Sequence, residues 1–302
     1  MTARVSDSRD VREGGRWSAA QHLKNFAIYL AVRGALWLAD RLSPRLLTLT
    51  LDGAALVASR CAPALVARAT RNLRGLVPVG AEGRAARQSF FIAARTLAAT
   101  LLLRRPTERA DARVSLDDAE LETLTRALDE GRGALVVAAH FGCFEHIAAL
   151  VAERGLAPAV VVRESYDPRL DCLVDRHRSE RGIRVLHRGR SRLGVLRALR
   201  QGRPVGLLPD LAPRVPSEDV GFLGRAAVRW PVGPSRLALR TGAPLLVATL
   251  RPSGTNCQYS LHFERIPSVP EASLSQRTAA RLDAAIREAP EHWLCMAREL
   301  DS

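Results

Sequence analysis

The stretch Ala134-Leu135-Val136-Val137-Ala138-Ala139-His140-Phe141-Gly142-Cys143-Phe144-Glu145 decides how the chain is read. Its first six residues form an unbroken apolar run after Gly131-Arg132-Gly133, as a strand buried on both faces requires. An imidazole follows at the strand end, and a carboxylate comes five positions later. Similar runs recur at residues 158–162 before Arg163, 183–187 before Arg188, 204–208 before Pro209 and 244–250 before Arg251. Helix-like stretches separate most of them. Strands alternating with helices indicate βαβ units, so an α/β fold with a mainly parallel central sheet flanked by helices is expected. Ser115, Asp117 and Asp118 can cap a helix running to about Glu130, residues 258–264 read as a closing strand, and 278–300 as a terminal helical segment interrupted at Pro290.

Parallel sheets bind ligands at the carboxyl ends of their strands, which makes His140 the first residue to question. In one continuous helix His140 and Glu145 would lie about 140° apart and could not meet. Gly142 supplies the break. With His140 in the turn and Glu145 in the first helical turn, Glu145 can accept a hydrogen bond from one ring nitrogen and leave the other free as a general base. Other readings stay open on spacing alone: a capping Glu145 beside a surface His140, a Cys143 thiol nucleophile beside His140 or His146, and a metal bound by His140, Cys143 and His146.

Composition narrows the class. The 302 residues are 47% hydrophobic and only 5% aromatic, enough for a large aliphatic core and unlike a disordered or collagen-like chain. The net charge is +14, and Lys24 is the single lysine among 45 basic residues. Guanidinium groups capture phosphate and carboxylate bidentately, so the surface suits anionic partners: nucleic acid, acidic lipid headgroups, a phosphorylated cofactor or an acidic carrier protein. Cys61, Cys143, Cys172, Cys257 and Cys295 are odd in number and contain no CxxC pair, which argues against a disulfide framework and for a reducing compartment. The polar first 15 residues lack the apolar core of a secretory signal.

Residues 26–51 are apolar almost all round a helix but are broken by Arg33, Asp40, Arg41 and Arg45, too charged for a spanning helix. An interfacial helix, with Tyr29 and Trp37 at headgroup depth and Arg33 snorkelling, is the expectation. Arg12, Arg16, Lys24, Arg33, Arg41 and Arg45 would each add about 1 kcal/mol of attraction to an anionic leaflet. A helical pattern with breaks at Pro44, Pro63 and Pro78 continues to residue 104. The expected division is an N-terminal helical, membrane-associating segment over 1–110 and an α/β catalytic domain over 111–302.

From residue 134 to 293 the chain resembles the bacterial lipid A biosynthesis acyltransferases, within the glycerolipid acyltransferase superfamily, whose hallmark is a His followed four or five residues later by Asp or Glu. Beyond His140 and Glu145 the resemblance rests on Arg163, the segment Asp167-Pro168-Arg169-Leu170-Asp171, Arg178, Leu208-Pro209-Asp210, VGFLGRAA from Val220, GPSRLALRTGAPLL from Gly233 and PEHW from Pro290. It implies transfer of a fatty acyl group from acyl carrier protein or coenzyme A to a hydroxyl of a lipid or glycolipid at the cytoplasmic face of the membrane. His140 would be the base and Glu145 its orienting carboxylate. Arg163 would sit near the acceptor phosphate or the oxyanion, with a local salt bridge to Glu164, Asp167 or Asp171 as its plainer role. Asp210, Gly224 and Arg225 would border the acceptor, Arg178 and Arg188 would contact phosphate or carrier, and Asp219 could join a relay with His140, ranked after Glu145. The acceptor block lacks the acidic FPEG pattern of simple lysophosphatidate acyltransferases, and position 211 is Leu where many relatives are polar. No metal and no cofactor beyond the acyl donor are expected. Two alternatives are an Arg-rich nucleic-acid-binding protein, opposed by the lack of interleaved aromatics, and a Cys143-based thiol or metal hydrolase.

Overall fold

A computed structural model describes residues 17–165, 167–188, 192–211, 215–254, 257–267, 273–297 and 300. The polar N-terminal stretch with Arg12 and Arg16 lies outside them. The N-terminal part is helical: α1 (Ala19–Arg41), α2 (Pro44–Cys61), α3 (Pro63–Leu73) and α4 (Glu82–Leu102). Ser18 opens α1 through a capping box with Gln21, and Ser43 caps α2 with Pro44 in its first turn. Arg105 fixes the elbow between α1 and α2 by donating to the carbonyls of Ala39 (2.6 Å) and Leu42 (2.5 Å). Among the described residues no single helix is long and apolar enough to cross a membrane, although α2 and α3, bent by 88°, pass that test as a pair.

The remainder is α/β: β1 (Val114–Ser115), α5 (Asp118–Leu128), β2 (Ala134–Val137), α6 (Glu145–Glu153), β3 (Ala159–Val162), α7 (Pro168–Glu180), β4 (Arg184–His187), α8 (Arg192–Arg200), β5 (Pro204–Leu207), β6 (Ser217–Phe222), β7 (Arg225–Pro231), α9 (Gly233–Thr241), β8 (Leu245–Pro252), β9 (Tyr259–Arg265) and α10 (Leu274–Glu288). Seven strands form one sheet in the order β1-β9-β8-β2-β5-β3-β4, parallel except where β9 runs against β8. The expected mainly parallel sheet is therefore present, and each strand-like run of the sequence forms one of its members. Strands β2 and β5 sit in the middle and are fully or largely buried, which is why they carry no alternation of polar residues.

Two expectations need correction, and a hairpin at 217–231 has no counterpart in the sequence reading. Ser115 belongs to β1, and the cap of α5 is Asp117, whose side chain accepts from the Glu120 N–H. Residues 217–231 form a separate antiparallel hairpin, β6–β7, around the turn Leu223-Gly224, both with positive φ, as a tight twisted hairpin needs. The described residues after Pro290 do not resume an α-helix: a 3-10 turn (Pro290–His292) leads into an extended segment that crosses the loop after β2. One hydrophobic cluster joins Leu73 of α3 and Ile92 of α4 to Leu135, Leu150, Leu246 and Leu261 of the α/β layers. Each fully buried leucine there contributes about 1.5–3 kcal/mol, so α3 and α4 are firmly docked. Helices α1 and α2 are different, for they leave Leu23, Phe26, Leu30, Trp37, Leu46, Leu49 and Val57 exposed.

Candidate active site

Strand register builds the site. Val137 of β2 is paired with Leu207 of β5, and three residues beyond each lie His140 and Asp210. Neighbouring parallel strands are about 4.8 Å apart, so equal offsets place the two residues side by side. The imidazole Nδ1 lies 2.8 Å from Asp210 Oδ1, and the His140 backbone N–H donates to Oδ2 at 2.9 Å. The indole N–H of Trp293 also donates to Oδ2, at 3.0 Å. Asp210 is almost wholly buried and takes all three contacts. Burial alone would raise its carboxyl, but the charge and hydrogen bonds of His140 and the indole hold it below the usual carboxylate range. For His140, burial pulls the imidazole down, and Asp210, aided by Glu145, more than offsets this and lifts it above its ordinary value. With Nδ1 engaged, Nε2 has no hydrogen-bond partner among the described residues, and the side chain keeps 21% of its exposure. Such an imidazole can receive a proton from a substrate.

The partner of His140 is therefore Asp210 and not Glu145. Glu145 begins α6 and instead meets Arg178 of α7 in a bidentate ion pair, with Nη2 to Oε1 at 2.6 Å and Nε to Oε2 at 3.2 Å. Gly142 does supply the expected break, at φ +50, and a Cβ there would lie 2.5 Å from the Tyr259 ring. That break sends the chain into α6 with Glu145 aimed toward α7.

The other predicted residues divide between two places. Arg163 and Arg188 follow the paired ends of β3 and β4, where Val162 is in register with His187 and the Arg188 N–H donates to the Val162 carbonyl at 2.9 Å. Both are exposed. Burial of part of its side chain and then the charge of Arg163 push Arg188 below its usual value, as expected for like charges held together. Along the carboxyl edge the order is thus His140, Asp210, Arg163, Arg188. The remaining residues are not drawn into this row. Asp219 is exposed on the β6–β7 hairpin and pairs with Arg229 at 3.4 Å, so it does not join a relay with His140. Gly224 is in the turn of that hairpin, and Arg225 reaches the carbonyls of Leu223 and Arg71. This end of the hairpin packs toward α3 and α10, for the Leu223 N–H donates to Asp283. Arg178 is occupied by Glu145.

An apolar cavity lies beside Phe144, the ring that packs on the imidazole. It is lined by Val136 of β2 and Ala138 just past it, Phe144, Ala148 and Val151 around α6, Val160 to Val162 of β3, and Gly206 and Leu207 of β5 with Leu208 just past it, with Glu145 and Arg178 on its wall. It encloses about 700 Å³ of empty space, part of it open to solvent. Phe144 belongs to both places, packing edge-on against His140 with ring centroids 5.0 Å apart. Sequence reading did not identify this lining, the Asp210 contact or Trp293. The signal for Asp210 was its equal distance past the strand run, which gains meaning only once β5 is known to neighbour β2.

Cys143 is fully buried, and burial pushes its thiol up to about 12, so it is not an available thiolate. His146 is likewise buried and is held neutral, down to about 3. Among the described residues no three His, Cys, Asp or Glu side chains assemble into a metal-binding group.

The site thus joins a histidine held by a buried carboxylate at the carboxyl ends of β2 and β5 to an apolar cavity through the ring of Phe144. The chain matches the bacterial lipid A biosynthesis acyltransferases over residues 15–301 and belongs to that family. It is an acyltransferase, acting in acyl transfer to a lipid acceptor. No curated protein matches it significantly.

Proposed function

We propose that this acyltransferase moves a fatty acyl chain from a thioester, on acyl carrier protein or coenzyme A, to a hydroxyl of a phosphate-bearing lipid or glycolipid at the cytoplasmic membrane face. The observation that carries this reading is the shared wall between His140 and the apolar cavity, formed by Phe144. The acyl chain lies in the cavity with its thioester carbonyl at the mouth. His140 Nε2 takes the proton of the acceptor hydroxyl as its oxygen attacks that carbonyl, and Asp210 holds the ring and stabilises the imidazolium. Collapse of the tetrahedral adduct breaks the C–S bond, and the imidazolium returns the proton to the leaving thiolate. The new ester and the free thiol balance the reaction. No acyl-enzyme is required.

Arg163 and Arg188, two and three strands from the base, hold the acceptor's anionic group about 10–14 Å from the reacting hydroxyl, given the strand spacing. That separation fits a large headgroup better than a lysophospholipid. The exposed apolar side chains of α1 and α2, with Trp37 55% exposed and Arg41 stacked on its ring at 3.9 Å, support an interfacial attachment. Tyr29 is half-buried against Arg169 of α7, 5.0 Å from its ring centre, so Trp37 is the better headgroup residue. The anionic partners assigned to the basic surface are the leaflet and the donor, and not nucleic acid.

The test supplies the purified chain with anionic vesicles containing a phosphorylated glycolipid, and with acyl carrier protein or coenzyme A thioesters. Acceptor acylation that depends on vesicle-bound enzyme is expected. Thioester hydrolysis without acceptor acylation would overturn the proposal.

A further inference from the structure

The segment after Pro290 touches both halves of the catalytic pair. Its backbone forms an antiparallel bridge between Trp293 and Phe141, in which the Gly142 N–H donates to the His292 carbonyl and the Leu294 N–H to the His140 carbonyl, each at 2.9 Å. The Trp293 indole then reaches across to Asp210 Oδ2. Asp210 itself follows β5 outside any regular element, so neither helix nor strand bonding fixes its side chain. Trp293 is 1% exposed, wedged edge-on against Phe222 of the hairpin with centroids 6.4 Å apart, and its donor has little freedom. On the other side, Phe141 stacks on His292, whose Nδ1 meets the Tyr259 hydroxyl at 2.8 Å.

We propose that Trp293 is a positioning residue for acyl transfer: its indole N–H, with the His140 amide, occupies Asp210 Oδ2 and so keeps Oδ1 on the imidazole Nδ1. The inference rests on His140 being the base, as argued above. It follows from valence. A carboxylate that satisfies two donors at one oxygen can present only the other to the ring, and rotation would break both bonds at once. Removing the indole donor frees Asp210 to rotate and concentrates its negative charge, which favours imidazolium. Apart from Asp210, the charged groups bearing on His140 are Glu145 from α6 and, through its ion pair, Arg178 from α7, and neither is altered by a change at 293.

The experiment compares full-length Trp293→Phe with Trp230→Phe, which removes an equally buried tryptophan that packs on Phe222 without contacting Asp210. Replacing Trp293 by its sulfur isostere 3-benzothienylalanine removes the donor while keeping the shape, should the phenylalanine variant fold poorly. For either change at 293, kcat is expected to fall about tenfold with the acceptor KM unchanged, and the acid limb of the pH–rate profile to move up by about half a unit. Trp230→Phe should leave that limb in place. A merely structural Trp293 would reduce the amount of active enzyme at every pH without moving the limb, and that result would overturn the inference. His140→Ala separates the two levels: if it is active, the acyl-transfer mechanism fails, whereas if it is inactive and the limb of the Trp293 variants stays put, only the positioning role fails.

Discussion

Replacing Asp210 by asparagine tests the catalytic pair with almost no change of shape. Oδ2 of Asp210 accepts two N–H donors, from the His140 amide and the Trp293 indole, while Oδ1 faces Nδ1. An asparagine must place its carbonyl oxygen where the two donors converge, since an NH₂ there would oppose both. Its NH₂ then points at Nδ1 and forces that nitrogen to accept. The ring proton moves to Nε2, and the atom that should receive the acceptor's proton already carries one. General-base assistance contributes about 10² to 10⁴ in rate, so kcat should fall by that factor, or about 3–5 kcal/mol of transition-state stabilisation. Both buried donors remain bonded, so the fold should survive. Steady-state transfer of a labelled acyl group, with near-UV circular dichroism as the control, measures both. A folded Asp210→Asn enzyme within threefold of the wild-type rate would refute the reasoning.

Glu145→Gln should cost less, under about tenfold, because its carboxylate serves Arg178 and the cavity wall and reaches His140 only through space; parallel kinetics against Asp210→Asn decide the ranking. Ala148→Phe projects a ring into the apolar cavity, and competition between donors of different length should show a preference shifted to shorter chains with little loss of kcat on the best donor. Stability should fall on mild acidification through His146. Burial, with Arg113 and Arg181 nearby, holds it neutral down to about 3, whereas the unfolded chain takes up its proton near pH 6.5. Each pH unit below that value then costs about 1.4 kcal/mol, and His146→Phe should flatten the decline of Tm between pH 6.5 and 5. His140 has the opposite sign: its raised value leaves its contribution intact below the ordinary imidazole range and loses it as pH rises through the raised one. Asp210, depressed, contributes above the ordinary carboxylate range and loses that contribution only as pH falls through its lowered value. The pair is most stabilising between the two, and transfer should begin only as pH climbs past the raised His140 value.

Much of the sheet was legible because strands buried on both faces must be short and continuously apolar, as in residues 134–139 and 244–250. His140 was legible too, since it ends the first of them. Its partner was not. Strand order decides which strand ends adjoin, and nothing local to 204–210 says that β5 inserts between β2 and β3. The spacing of His140 and Glu145 invited a local pairing, but a bidentate guanidinium from α7 offers Glu145 a stronger partner than a neutral imidazole does. The hairpin at 217–231 was hidden because its turn is Leu-Gly, without the usual Asn-Gly or Asp-Gly signal, and the tail beyond Pro290 by an apparently helical composition. Its role at Asp210 is a contact between residues 83 apart in sequence.

In the proposed mechanism the imidazole of His140 activates a lipid hydroxyl for acylation. Lipid mass spectrometry of cells carrying the wild-type gene or His140→Ala at equal protein levels tests it most directly. One lipid class should lose the mass of one acyl chain in the variant and gain its unacylated precursor. An unchanged lipid profile in the variant, beside a wild type that clearly adds the chain, would contradict the account.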